Sequence, residues 1–181
     1  MKLITNLLSS IEMRRCCVIY RNKLYRTAYA WCHDTQLADD LVQETLYKAL
    51  KSWRSLRDPE AIEPWLFRIL GNTWHDYLRS SGRTTDLEDI ADDQASAPEA
   101  YHQGQIVDRV RGAVSSLPLP LREVVTLADF SGFTYAEIAQ ILDIPIGTVM
   151  SRLFRARRSL KSRLLDLNRS PASVIPIRRV K

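Results

Sequence analysis

The chain has 181 residues, of which 45% are hydrophobic and 26% charged, the balance of an ordinary globular protein. No apolar stretch reaches the roughly 18 to 20 residues that a membrane-spanning helix needs, and the first residues, MKLITNLLSS, lack the apolar core of an export signal. We therefore expect a cytoplasmic protein without membrane insertion. The formal net charge of +5 favours a polyanionic partner.

The three cysteines, Cys16, Cys17 and Cys32, are odd in number and lack C-x-x-C spacing. This pattern is not that of a disulfide framework or of a tetrahedral zinc site. Cys32 precedes His33, but neighbouring residues on a helix point in different directions. We interpret the cysteines as reduced packing or surface residues, and we expect no metal ion and no cofactor.

Charge is distributed unevenly along the chain. From Thr84 to Asp108 there is no Lys or Arg, whereas seven Asp and Glu residues fall there. This stretch has no sustained apolar period, so it cannot bury enough surface to offset the entropy of ordering it. The sequence predicts a flexible acidic linker over 84–107 between two domains, 1–83 and 108–167, followed by a disordered basic tail over 168–181.

The predicted elements are helices, and no alternating strand pattern is visible. Along the segment 37–53, apolar or small residues recur at spacings of three and four, which is typical of a helix packed on a core. This predicted buried face consists of Ala38, Leu41, Val42, Leu46, Ala49, Leu50 and Trp53. The opposite face carries Asp39, Asp40, Gln43 and Glu44.

A further helix is predicted from Pro64, because proline is accepted in a first helical turn. Its predicted buried side consists of Leu66, Ile69, Leu70, Thr73 and Tyr77. Beside it lies a polar stripe of Arg68, Asn72, His75 and Arg79.

The C-terminal third predicts three more helices. The first starts near Pro120 and ends at Gly132, where glycine accepts the left-handed conformation. The second opens on a capping box, Thr134-x-x-Glu137. After a break over 143–147, Thr148 is predicted to cap the last helix. The predicted buried positions of that helix are Val149, Leu153, Ala156, Leu160 and Leu164.

Helix, short turn and helix in this order predict a helix-turn-helix, whose second helix enters the DNA major groove. Its N-terminal residues then lie near base edges, and its basic residues lie near phosphates. The predicted outward face consists of Thr148, Ser151, Arg152, Arg155 and Arg158, with Arg157 and Lys161 at its flanks.

Two blocks of sequence resemble extracytoplasmic function (ECF) sigma factors. TYAEIAQILDIPIGTVMSRLFRARRSLKSRL resembles their region four, and ADDLVQETLYKALKSW followed by PWLFRILGNTWHDYLRSSGR resembles their region two. Together the blocks cover most of Arg21 to Leu165. The resemblance implies an all-α chain of two small helical domains, the second containing the helix-turn-helix.

The resemblance also implies partners and residue roles. Core RNA polymerase would be bound through its β′ clamp helices and its β flap, and promoter DNA through the minus-ten and minus-thirty-five elements. The residues implied for polymerase docking are Asp39, Asp40, Gln43 and Glu44. Those implied for the minus-ten element are Arg57, Arg68, Asn72, Trp74, His75, Arg79 and Arg83. Those implied for the minus-thirty-five element are Thr148, Ser151, Arg152, Arg155, Arg158 and Lys161.

Residues 53–65 would form the loop that captures a flipped-out base, and aromatic faces suit unstacked bases in general. A tryptophan on an amphipathic helix also suits a core, however. We interpret Trp65 as core and leave Trp74 open between core and DNA contact.

The chain departs from the family pattern at three positions. Met150 stands where a lysine is common, Ile146 replaces a polar turn residue, and Gly71 occupies a helical position often held by a basic residue. Two of these changes remove positive charge near the expected DNA, so promoter preference does not transfer from the family.

Two other function classes compete with this interpretation. A stand-alone helix-turn-helix regulator would bind its operator without polymerase, but such proteins normally dimerise. An enzyme is disfavoured, because the sequence shows no P-loop, nucleophile elbow or paired carboxylates. The family further implies an anti-sigma factor as partner, and we expect the free chain to be a monomer.

Overall fold

The computed structural model describes residues 10–56, 58–82 and 106–169. The described residues contain helices and no strand, which confirms the predicted all-α class. The α-helices are α1 (Ser10–Cys32), α2 (Thr35–Ser52), α3 (Ile62–Ser80), α4 (Ile106–Ser115), α5 (Leu119–Val125), α6 (Tyr135–Leu142) and α7 (Ile146–Arg169). None of them is both long and apolar enough to cross a bilayer.

Helix α2 packs between α1 and α3 and has the predicted buried face, except that Leu46 is half-buried and Leu50 is exposed. The carboxylate of Asp34 caps its first turn by accepting hydrogen bonds from the backbone N–H groups of Gln36 and Leu37. Leu50, predicted to be buried, is 40% exposed. Successive side chains on a helix are rotated by about 100° about its axis. Leu50 therefore points away from the buried face to which Ala49 belongs. Thr45 is buried on this face and bonds the carbonyl of Leu41.

Two short 3-10 turns, Trp53–Ser55 and Pro59–Ala61, connect α2 to α3. Because α3 begins at Ile62, Pro64 lies in its first turn, as predicted. Trp65 therefore belongs to α3 and not to the connecting loop that was predicted over 53–65. Its side chain is half-buried against the core, in agreement with its interpretation as a packing residue.

Helices α5 and α6 begin and end close to the predicted positions, whereas α4 was not predicted and begins inside the predicted linker. Helix α5 continues into a π-helical turn, Thr126–Phe130, and the chain then reverses at Gly132 with a φ of 78°. The predicted capping box at Thr134 and Glu137 is present at the start of α6. A three-residue turn over 143–145, with Asp143 in the left-handed conformation, joins α6 to α7.

The predictions for the start of α7 and for the end of its buried face are wrong. The helix begins at Ile146, and the backbone N–H groups of Thr148 and Val149 both bond the carbonyl of Pro145, so Thr148 is not the N-cap. Leu164 is 37% exposed rather than buried. The 24 residues of α7 pack on helices of 7 to 10 residues, so its last turns extend past the core.

The two halves of the chain pack against each other in one continuous core. The rings of Phe67 and Phe133 meet edge to face with centroids 4.8 Å apart. The hydroxyl oxygens of Thr27 and Ser131 lie 3.2 Å apart between the halves. This packing places α3 and α7 around a common cleft.

Candidate nucleic-acid interface

The outward face of α7 is cationic. Val149, Leu153 and Ala156 are fully buried and fix the orientation of the helix, as predicted. The exposed side is formed by Ser151, Arg155, Arg158 and Lys161, while Thr148 is half-buried. A helix with hydroxyl and guanidinium groups on its free face suits hydrogen bonding to base edges and phosphates.

The guanidinium of Arg157 forms its hydrogen bonds within the protein. Its guanidinium donates two hydrogen bonds to Asp129, of 2.6 and 3.2 Å, and one to the hydroxyl of Tyr135. These bonds raise the pKa of Arg157 above its ordinary value. The residue therefore anchors α7 to the preceding helices and is distinct from the free cations of the outward face.

An apolar stripe flanks the cationic face and was missed in the sequence. Ile146, Met150 and Phe154 are between 50% and 69% exposed and follow one another at a spacing of four. Their spacing in the sequence is the signal that indicates one shared side. Apolar side chains on a groove-facing helix suit contact with the methyl group of thymine.

Some side chains of the polar stripe of α3 are exposed to solvent, and others contact the C-terminal half of the chain. Arg68, Asn72 and Arg79 are exposed, and Arg79 forms an ion pair with Asp76. His75 is half-buried, with its Nε2 3.0 Å from a carboxylate oxygen of Glu123. Arg57 and Arg83 lie outside the described residues.

Trp74 belongs to the core in this structure. It is 4% exposed, stacks on Tyr77, and donates its indole N–H to Glu123 at 3.0 Å. Glu123, on α5, is 1% exposed. This buried carboxylate was not singled out in the sequence, where no signal distinguishes it from a surface residue. In the described arrangement Trp74 does not face a DNA strand.

One cleft brings together residues of both candidate DNA surfaces. Its lining includes Asn72, His75, Asp76 and Arg79 of α3, together with Glu123, Leu142, Asp143, Ile144 and Arg152. The hydrogen bond to Glu123 raises the pKa of His75, whereas burial lowers the pKa of Arg152. Arg152 thus faces α3 instead of continuing the exposed face of α7.

The acidic face of α2 is largely available to a partner. Asp40, Gln43 and Glu44 are exposed, although Glu44 also approaches Lys48 at 3.7 Å. Asp39 is engaged within the chain, in an ion pair of 2.9 Å with Arg21. Two exposed apolar side chains, Tyr47 and Leu50, lie beside this face.

The cysteines form no metal cluster with His, Asp or Glu in the described part of the chain. Cys17 is buried, and the thiol of Cys32 donates to the carbonyl of Asp34 at 3.2 Å. Burial raises the pKa of both thiols, which therefore stay protonated and weakly reactive at neutral pH.

Two family profiles match the chain. Sigma-70 region 2 matches residues 19–84, and sigma-70 region 4 matches residues 108–160. These ranges contain the acidic face of α2, the polar stripe of α3 and, apart from Lys161, the outward face of α7.

Similar proteins give the same assignment. The RNA polymerase sigma-H factor of Pseudomonas aeruginosa is 32% identical, over 83% of this chain and 84% of its own length. The ECF RNA polymerase sigma-E factor of Haemophilus influenzae is 36% identical, over 71% and 75% respectively. Among solved structures, the sigma factor RpoE of Bartonella quintana, in complex with the anti-sigma factor NepR, aligns with a TM-score of 0.69 and 29% identity. That alignment covers 85% of this chain and 97% of RpoE.

These matches do not favour a stand-alone helix-turn-helix regulator. A sigma factor is not itself an enzyme, because RNA polymerase performs the chemistry of transcription. The chain belongs to the ECF type of RNA polymerase sigma factors and is an alternative sigma factor that directs promoter-specific transcription initiation.

Proposed function

We propose that three helical faces carry three separate binding functions. Helix α2 docks on core polymerase, α3 binds the minus-ten element, and α7 binds the minus-thirty-five element. The single observation that supports this division best is the α7 face, where free cations stand opposite a fully buried apolar stripe. We assign the first two faces to a domain over 1–83 and the third to a domain over 108–167, with 84–107 as a linker.

For docking, Asp40, Gln43 and Glu44 are the residues we assign to the β′ clamp helices. Exposed carboxylates form charge-assisted hydrogen bonds with a basic partner helix and steer its approach. Asp39 contributes less in this proposal, since a partner must first displace Arg21. We further assign the domain over 108–167 to the β flap.

For the minus-ten element, we assign Arg68, Asn72 and Arg79 to the separated strand. Their side chains are exposed along one side of α3. The two guanidinium groups therefore bind phosphates, and the amide of Asn72 bonds a base edge. His75 and Trp74 join this surface only after their contacts with Glu123 are released.

For the minus-thirty-five element, Ser151 and Arg155 lie in the first turns of α7 and are assigned to base edges. Arg158 and Lys161 lie further along the same helix and are assigned to phosphates. Arg152 and Thr148, which are half-buried, take part only if they reorient on DNA.

The partners of the solved relatives suggest one more interaction. RpoE and CnrH, the second at 25% identity and a TM-score of 0.63, are described in complex with NepR and with the cytosolic domain of CnrY. We propose that this chain is likewise held by an anti-sigma factor and acts in the cytoplasm, as a monomer when free. In this proposal it has no catalytic residue and no cofactor of its own.

The proposal is tested by measuring holoenzyme binding to a promoter selected from genomic fragments. We expect core polymerase carrying the chain to bind that fragment at least tenfold more tightly than one with a scrambled minus-thirty-five element. Equal affinity for both fragments would contradict the assignment of α7.

A further inference from the structure

We infer that Met150 recognises the 5-methyl group of a thymine in the minus-thirty-five element and thereby selects an A·T base pair at that position. This role rests on the proposed function of α7 and extends it from polar to apolar recognition. Ser151 and Arg155 are assigned to the hydrogen-bonding edges of the bases, whereas the side chain of Met150, which is 55% exposed, presents an apolar thioether.

Met150 belongs to a row of side chains along one side of α7. Ile146, Met150, Phe154 and Arg158 follow one another at intervals of four residues, the spacing at which helical side chains are neighbours. Each of the three apolar members is at least half exposed, and Arg158 is exposed as well. The row is therefore apolar at the start of the helix and cationic further along.

This order suits a helix that lies in the major groove. The first turns of such a helix lie near base edges, and its basic residues lie near phosphates. Arg158 and Lys161, both exposed, are placed where positive charge complements the DNA backbone. Charge complementarity at the end of the row therefore favours duplex DNA, rather than an apolar helix of another protein, as the molecule that covers it.

Thymine carries the one alkyl group on the base edges of the major groove, and the other groups that identify a base pair there are hydrogen-bond donors and acceptors. Met150 would leave such polar groups without a partner, which is costly. Covering a methyl group instead strengthens binding about fourfold, and an unbranched methionine adapts its shape to the contact. Apolar recognition of thymine thus gives a reason for methionine where lysine is common in the family.

Gly147 leaves space for a base pair beside Met150. The two residues are three positions apart and therefore neighbours on the helix surface. No described atom lies within 4 Å of the Cβ position of Gly147, so packing among the described residues does not explain the glycine. Glycine permits a ligand to approach the backbone closely. The first turn of α7 is thus shaped for close contact with a molecule outside the chain.

Replacing thymine by deoxyuridine tests this role, because the exchange removes only the 5-methyl group and keeps the base pair. Core polymerase carrying the full chain first selects one fragment from a pool of genomic DNA. That fragment is then synthesised with thymine or with deoxyuridine throughout its minus-thirty-five element. In fluorescence anisotropy titrations, we expect the deoxyuridine fragment to bind at least threefold more weakly. Deoxyuridine placed between the two elements is the DNA control and should have no effect.

Three variants assign this difference to a residue. Met150→Ala should lose most of the difference between the two fragments, whereas Met150→Leu should keep it, because leucine also covers a methyl group. Leu164→Ala is the matched control, since it removes another exposed apolar side chain of α7, roughly 21 Å further along the helix. Circular dichroism checks that each variant is folded. A loss in Met150→Leu as large as that in Met150→Ala would contradict an apolar contact.

Three further results would overturn the role of Met150. One is equal affinity of the parent for the two fragments, or a selected element without thymine on either strand. Another is an undiminished difference in Met150→Ala, because a different residue would then recognise the methyl group. The third is a Met150→Ala chain that loses affinity for core polymerase while its preference for thymine is kept, since the row would then bind protein. If the parent binds a scrambled minus-thirty-five element as tightly as the selected one, the proposed function of α7 is at fault instead.

Discussion

Trp74 of α3 donates its indole N–H to the carboxylate of Glu123 on α5 at 3.0 Å, and both side chains are buried. The role of Trp74 was left open in the sequence between core packing and contact with the minus-ten element, and Glu123 belongs to the half of the chain that carries the helix-turn-helix. Their hydrogen bond therefore joins the helix proposed to bind the minus-ten element to the half proposed to bind the minus-thirty-five element.

The packing of the two halves of the chain on each other should depend on pH through His75. The hydrogen bond to Glu123 raises the pKa of His75, so protonation stabilises this packing at low pH, and the contribution is lost as pH rises through the raised pKa. The other charges facing this site are Asp76, Arg79, Asp143 and Arg152. We expect the radius of gyration of the free chain to increase as pH rises above the ordinary histidine pKa of about 6.5.

His75→Gln should remove most of this pH dependence. His33→Asn is the matched control, because burial lowers the pKa of His33 and its contribution therefore has the opposite sign. A radius that changes equally with pH in the parent and in His75→Gln would contradict the role given to this histidine.

Charge reversal on α2 should abolish docking. We expect the Asp40→Arg, Glu44→Arg double variant to lose at least a hundredfold in affinity for core polymerase, measured by fluorescence anisotropy. Exposed substitutions shift stability by only about 0.5 kcal/mol, so thermal unfolding should change little. Glu60→Arg, an exposed carboxylate outside α2, is the control and should bind normally. Retained affinity in the double variant would show that polymerase docks elsewhere.

Helix α7 should contain residues that recognise bases and residues that bind phosphates. Arg155→Ala should reduce discrimination among minus-thirty-five sequences by about 1 to 3 kcal/mol, because a guanidinium paired with guanine distinguishes bases. Lys161→Ala should weaken binding evenly on every sequence and lower the salt slope by about one unit. Holoenzyme binding to a set of sequence variants across a salt series separates the two effects. Equal losses on every sequence for both variants would indicate readout of DNA shape instead.

The capping box should stabilise the helix-turn-helix measurably. Thr134→Ala removes the hydroxyl that accepts from the backbone of Glu137, and such losses cost about 0.5 to 2 kcal/mol. Urea unfolding of the chain should show this decrease. Thr148→Ala, which removes a hydroxyl inside the first turn of α7, should cost less than the cap. Equal costs for the two substitutions would contradict the helix start at Ile146.

The sequence predicts most of the helical fold because each helix buries one regular face. The capping box, the left-handed Gly132 and the buried stripe of α7 follow from local spacing alone. The errors at Leu50 and Leu164 arise where a stripe continues past the neighbour that covers it. Periodicity marks the direction a side chain faces, but not how far the packing partner extends.

The second buried face of α3 was not predictable in this way. Phe67, Gly71 and Trp74 are covered by a domain that lies far along the chain, so no local pattern distinguishes them from exposed positions. Glu123 illustrates the same limit, since a carboxylate is ordinarily a surface residue. Its burial depends on hydrogen bonds with Trp74 and His75, which lie about fifty positions earlier in the chain.

Run-off transcription with core polymerase over a library of genomic fragments measures whether the chain directs initiation at specific promoters. We expect new transcripts that depend on the chain, start downstream of shared minus-ten and minus-thirty-five sequences, and disappear with the Asp40→Arg, Glu44→Arg double variant. A chain that binds DNA fragments but adds no transcript to core polymerase would contradict this expectation.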